Sequence, residues 1–161
     1  MTRAEPRPRS MLSLDVGRRR IGLAGCDPLG VSVTTLPAIF RSRFDQDLEI
    51  IKAHCLSRGV KGLVVGLPLD QAGQRTEQAI HSERYGKRLR RALELPLAWV
   101  NEHCSSWAAA ELGNLHGDRT GRLDSAAALL LLEQWLREGP EPELEHDTTQ
   151  AHSQAKSDDG S

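Results

Sequence analysis

Aromatic side chains are scarce: two Phe, three Trp and one Tyr in 161 residues. With so few flat rings, extensive base stacking is excluded, and recognition of any nucleic acid would run through backbone and shape. The three cysteines, Cys26, Cys55 and Cys104, are odd in number and far apart. That pattern fits neither a disulfide framework nor a zinc site of paired cysteines. His54-Cys55 and His103-Cys104 are adjacent pairs, which lack the usual spacing of zinc ligands. The longest apolar run, residues 126–132, has seven residues, against the roughly 20 a membrane helix needs. Residues 1–10 hold Arg3, Arg7 and Arg9 with no apolar stretch behind them, so no signal peptide is expected. One soluble domain in a reducing compartment is what these absences predict.

Lysine is also rare. Of 21 basic residues 17 are Arg, which suits bidentate phosphate contacts, although a GC-rich genome gives the same bias. The net charge of -1 hides an asymmetry: residues 139–161 hold six acids against Lys156 alone, a net of -5, so residues 1–138 carry +4. With one Leu beyond Pro140 and no aromatics there, this acidic tail is expected to be disordered. The chain therefore divides into a flexible arm (1–10), a folded domain (11–138) and the tail (139–161).

Residues 11–16 and 20–26 flank the turn Gly17-Arg18-Arg19 and read as an antiparallel hairpin, with a third strand over 31–40. Phe44, Leu48, Ile51 and Cys55 recur at helical spacing until Gly59. A continuous apolar strand follows at 62–67, then a helix over 75–93, a strand at 95–100, a helix at 105–115 and a last helix from Asp124 to Gly139-Pro140. Consecutive strands imply antiparallel pairing, and the later alternation implies parallel crossovers. An α/β fold results, a mixed five-stranded sheet flanked by helices. Trp107 and Trp135, with Leu neighbours, read as core. The stretch from Gly66 to Gly73 lacks the Gly-Lys-Ser/Thr ending of a phosphate loop.

Three acids stand where such a sheet presents a site. Asp15 ends the first strand, Glu102 follows the strand at 95–100, and Asp124 opens the last helix. Carboxylates gathered together repel one another unless a cation is present. Hard divalent Mg²⁺ or Mn²⁺ resolves the conflict, and such ions can activate water and steady a leaving oxygen in phosphodiester hydrolysis. Each acid has a plainer reading: Asp15 as a turn residue, Glu102 as a surface acid, Asp124 as a helix N-cap. Two basic groups offer phosphate contacts. Arg84, Lys87, Arg88 and Arg91 fall at i, i+3, i+4 and i+7 on one helix, and Arg18, Arg19 and Arg20 cluster at the hairpin turn near Asp15. Their plainer readings are a solvated helix face and an ordinary charged turn.

Leu14-Asp15-Val16-Gly17 followed by Arg20-Ile21-Gly22-Leu23-Ala24 resembles the opening hairpin of the YqgF family of pre-16S rRNA nucleases, related to RuvC-type Holliday junction resolvases. Val65-Gly66-Leu67-Pro68-Leu69, with Gly73 and Gln78, is similar to that family's second block, and Leu123-Asp124-Ser125-Ala126-Ala127 resembles its closing helix. The ordered blocks span residues 12–137. The resemblance implies an RNase H-like fold over 11–138, a cytoplasmic location, and nuclease action in maturing the 5′ end of the small-subunit rRNA precursor. It implies Asp15, Glu102 and Asp124 as the metal-binding, catalytic set with Mg²⁺ or Mn²⁺, and structured RNA in a ribosomal precursor particle as partner. Branched DNA, the substrate of the resolvase relatives, is the alternative. One block departs. Where the family reads Asp-Glu-Arg-Leu-Thr-Thr, this chain has Asn101-Glu102-His103-Cys104-Ser105-Ser106. Asn101 offers a neutral oxygen in place of a carboxylate, and His103 replaces a fixed guanidinium charge with a group mostly neutral at pH 7. That departure motivates a third reading, a ribosome-assembly RNA-binding protein with weak catalysis.

Overall fold

The computed structural model describes residues 9–69, 72–101 and 122–144. In chain order these form β1 (Met11–Val16), β2 (Arg20–Cys26), β3 (Val33–Phe40), α1 (Phe44–Arg58), β4 (Gly62–Leu67), α2 (Glu77–Leu93), β5 (Leu97–Asn101) and α3 (Arg122–Glu138). The strand order is β3-β2-β1-β4-β5, with β2 antiparallel to β1 and β3, and with β4 and β5 running parallel to β1. This is the mixed five-stranded sheet that the sequence predicts. The helix predicted over 105–115, and Trp107 within it, lie outside the described residues.

The two faces of the sheet differ in their cover. Leu12, Leu14, Ile21, Leu23, Leu63 and Val65 pack with Ile51 and Cys55 of α1 and with Tyr85 and Leu89 of α2. On the other face Met11, Ala24, Val64, Ala98 and Val100 pack with Ala128, Leu131, Leu132 and Trp135 of α3. Central β1 is thus buried on both sides, as its near-continuous apolar run demands. Its one polar interior residue, Ser13, points at α3 and donates its hydroxyl to the Ala128 carbonyl at 2.6 Å.

Local chemistry sets the element ends. The strand expected from residue 31 begins at Val33 because Asp27 Oδ1 accepts the Val31 and Ser32 N–H groups at 2.7 and 2.9 Å, holding a turn there. α1 stops at Gly59, whose φ of 60° suits glycine and whose N–H reaches back to the last turn. α2 begins after Thr76, which accepts the Ala79 N–H at 3.0 Å, so the helix starts two residues later than its periodicity suggests.

Residues 139–144 are not a free tail: Leu97 and Glu143 exchange both backbone hydrogen bonds at 2.9 Å, closing the edge of β5. Trp135 Nε1–H donates to the Pro140 carbonyl at 2.7 Å, and Arg9 pairs with Glu141 at 2.7 Å. Composition favoured solvation of this segment, but an open sheet edge and a buried indole N–H both required partners, and the segment supplies them. At the other end of the described chain Ser10 is buried and donates to the Arg58 carbonyl at 3.1 Å. Among the described residues no helix is long and apolar enough to cross a membrane.

Candidate active site at the carboxyl edge of the sheet

Because β1, β4 and β5 run parallel, Val16, Leu67 and Asn101 end at one edge, where parallel sheets commonly present ligand sites. Asp15 is half-buried at this edge, on the same face as Ser13 and therefore on the α3 side. Its cross-strand partner on β2 is Gly22. A Cβ at Gly22 would lie 1.9 Å from the Asp124 carbonyl oxygen and 2.7 Å from the Ser125 nitrogen. The first turn of α3 therefore rests directly on Gly22, opposite Asp15. Ser125 fastens it there, donating to the Leu36 carbonyl at 2.7 Å and accepting the Leu23 N–H at 3.4 Å. Asp15 and Asp124 are separated by 109 positions in sequence, yet they share one corner of the molecule.

Asp124 is the third residue of α3 and not its N-cap, which corrects the plainer reading of that acid. Its Oδ2 is buried without a hydrogen bond. Arg20 Nε stands 3.2 Å away, close enough for an ion pair but without the alignment of a hydrogen bond. Glu102 lies outside the described residues, directly after the last residue of β5. No group of three His, Cys, Asp or Glu side chains gathers among the described residues. The residues present nevertheless fit a hard divalent cation: two carboxylates on one face, with a buried oxygen on Asp124 whose lone pairs no N–H or O–H donor occupies.

The basic residues are less uniform than their sequence spacing suggests. Arg18 is exposed and lies 3.8 Å from an equally exposed Glu77. Arg19 is exposed, and its carbonyl accepts the Arg41 N–H at 2.8 Å. Arg20 is committed to Asp124. On α2, Arg84, Lys87, Arg88 and Arg91 are all exposed. Lys87 is paired with Glu83 at 3.0 Å, however, and the Arg88 guanidinium lies 3.8 Å over the Phe44 ring. The four do not form one uncommitted stripe.

Three residues that hold this edge escaped the sequence reading of the site. Gln78 Nε2 donates to the Val16 carbonyl at 2.6 Å, joined by Ser82 Oγ at 3.4 Å, and the pair anchors the strand end next to Asp15. Arg41 donates to the Gly17 carbonyl at 2.8 Å, lies 4.7 Å over the Tyr85 ring and contacts His81 Nε2. A guanidinium only donates, so His81 Nε2 accepts and the imidazole carries its proton on Nδ1. Burial, then the charges of Arg41, Arg18 and Arg84, hold His81 below its ordinary pKa. Gln78 stood within a recognisable sequence block, but Arg41 sits alone between a strand and a helix, where no periodicity marks it.

A family model described as "RuvX: Holliday junction resolvase" matches residues 9–138. The chain belongs to the RuvX family. Among its relatives, a protein of Prochlorococcus marinus (strain MIT 9313), named "Putative pre-16S rRNA nuclease", is 65% identical over 161 residues, covering all of both chains. One of Synechococcus sp. (strain CC9902), of the same name, is 70% identical over 131 residues, 81% of this chain and 80% of its own. Among solved structures, Thermus thermophilus RuvC is 14% identical with a TM-score of 0.48, covering 84% of this chain and 99% of that one. The blocks that resembled the YqgF family thus lie inside the matched region of the RuvX family.

Proposed function

We propose that this chain is a divalent-metal-dependent nuclease of the cytoplasm that acts on structured RNA in maturing the 5′ end of pre-16S rRNA. The observation that carries the reading is the meeting of Asp15 and Asp124 across Gly22, with Asp124 Oδ2 buried and unbonded. The names of the relatives point to the same substrate.

Asp15, Asp124 and Glu102 would hold Mg²⁺ or Mn²⁺, which supplies Lewis-acid activation of water and charge neutralisation at phosphorus. The chain's own residues prepare that corner. Gln78 and Ser82 fix the Val16 carbonyl, so the end of β1 presents Asp15 in one orientation. Ser125 fixes the first turn of α3 and with it Asp124. Arg20 balances the Asp124 charge and shields it from Asp15. Arg18 and Arg19 on the hairpin turn and the exposed Arg84 on α2 position the phosphate backbone, with Lys87, Arg88 and Arg91 adding positive charge along the helix.

Incubating the protein with a precursor rRNA 5′ fragment and Mn²⁺ or Mg²⁺ tests this. Cleavage that Asp15→Asn abolishes while RNA binding persists is the expected result. Equal cleavage by the variant would remove the site assignment, and binding without cleavage by the wild type would favour an assembly factor with weakened chemistry, for which Asn101 and His103 are the grounds. The description of the family as a Holliday junction resolvase favours branched DNA as the second reading. Competition between the RNA fragment and a four-way DNA junction separates the two.

A further inference from the structure

We propose that Arg18, Arg41, His81 and Arg84 form a single phosphate-binding subsite beside the carboxyl end of β1. They come from three segments: the β1–β2 turn, the link between β3 and α1, and the first half of α2. Arg41 is its fixed member. The Gly17 carbonyl and the Tyr85 ring hold its guanidinium in place, so little side-chain entropy remains to be lost when an anion binds. Arg84 is exposed and makes no ion pair with the described residues. Arg18 has one carboxylate within reach, Glu77, at 3.8 Å, and that carboxylate is 93% exposed. His81 Nε2 contacts Arg41, and Glu77, which Arg18 approaches, falls with His81 and Arg84 at i, i+4 and i+7 on one face of α2. Burial first, then the charges of Arg41, Arg18 and Arg84, hold the His81 pKa below the ordinary value, and no acid is among the causes.

Guanidiniums brought around one imidazole with so little compensating negative charge make a local excess of positive potential. A phosphate group answers it: planar guanidiniums offer paired donors to its oxygens, and His81, once protonated, adds another N–H. The subsite stands next to Gly17, two positions from Asp15, so a phosphate seated there would belong to a chain passing the acidic corner. That the phosphate belongs to a nucleic acid rests on the proposed nuclease reading; the subsite itself does not.

Two measurements on the full chain test it. Histidine NMR follows the His81 ring, assigned with His81→Gln, during titration with inorganic phosphate. Fluorescence anisotropy follows a single-stranded oligoribonucleotide and its DNA counterpart on wild type, Arg84→Gln and the control Lys52→Gln, which lies on α1 away from the subsite. The expected result is an upward shift of the His81 pKa with phosphate. Arg84→Gln should lose about tenfold in oligonucleotide affinity and reduce the salt slope by about one, with Lys52→Gln unchanged. Phosphate response at His81 with no cleavage of the precursor rRNA 5′ fragment in Mn²⁺ or Mg²⁺ would keep the subsite and remove the nuclease reading. Cleavage with no His81 response and unaltered binding by Arg84→Gln would overturn the subsite alone.

Discussion

Gly22 and Asp124 touch so closely that a side chain at one would displace the backbone of the other: the added Cβ would stand 1.9 Å from the Asp124 carbonyl oxygen. This contact seats the first described turn of α3 on the sheet and places one candidate ligand opposite another. Gly22→Ala is therefore expected to act on both stability and chemistry. Pushing the first turn of α3 off the sheet should cost on the order of 1–3 kcal/mol, read as a lower midpoint in denaturant, and should abolish cleavage even where the protein still folds. An active variant of normal stability would show that α3 has another seat.

Asp124→Asn separates metal binding from helix structure. In metal-free buffer the variant loses its ion pair with half-buried Arg20, a change of about 1 kcal/mol or less. Added Mn²⁺ should raise the melting temperature of the wild type through mass action and leave the variant unmoved. Cleavage should fall by at least about 100-fold, the scale on which removal of one preorganised electrostatic partner acts. Equal metal stabilisation of both proteins would take Asp124 out of the metal site.

Cutting the chain after Gly139 should reopen the β5 edge. Two backbone hydrogen bonds to Leu97 vanish and the buried Trp135 N–H loses its acceptor. The combined cost is about 3 kcal/mol, measured by chemical denaturation, and the exposed edge should promote self-association visible in light scattering. A monomeric truncation as stable as the wild type would mean that residues 139–144 contribute nothing to the fold.

Alkaline pH should weaken the protein through two buried groups. Burial pushes the Cys55 thiol up to about 11 from an ordinary 9.0, and burial together with the Asp47 charge raises the Tyr85 hydroxyl above its ordinary 10.0. Both are raised in the folded state, so the stability they lend is complete below pH 9 and is lost as pH climbs through the folded values, because the unfolded chain releases its protons first. Melting temperatures measured from pH 8 to pH 11 should fall, and Cys55→Ala should flatten the first part of that fall. Tyr85→Phe removes the hydroxyl that donates to buried Asp47 Oδ2 at 3.3 Å and should cost about 1–3 kcal/mol at neutral pH.

Patterns that repeat along the chain were readable. β1, β2 and β4 have the bounds that their apolar runs suggest, and α1 ends where Gly59 said it would. Relationships between distant residues were not. Arg88 looks like part of a solvated stripe until Phe44 is found beneath it, and Lys87 looks free until Glu83 is found beside it. Asp124 resembled a helix cap because its residue type favours that role, whereas its position in the first turn depends on how deeply α3 settles onto Gly22. Arg41 and His81 gave no local signal, since each matters through the other. Composition does not mark the contacts of segment 139–144, because the need they meet belongs to β5 and Trp135.

α3 is the only described helix on its side of the sheet, and it carries Asp124 in its first turn and Trp135 in its last turns. Anchorage and chemistry are thus threaded on one rod. Trp135 lies about 16 Å along the axis from Asp124, yet a substitution that loosens the indole from its pocket would tilt the acid at the far end. Selection for a well-seated tryptophan and selection for an accurately aimed carboxylate would then be the same selection.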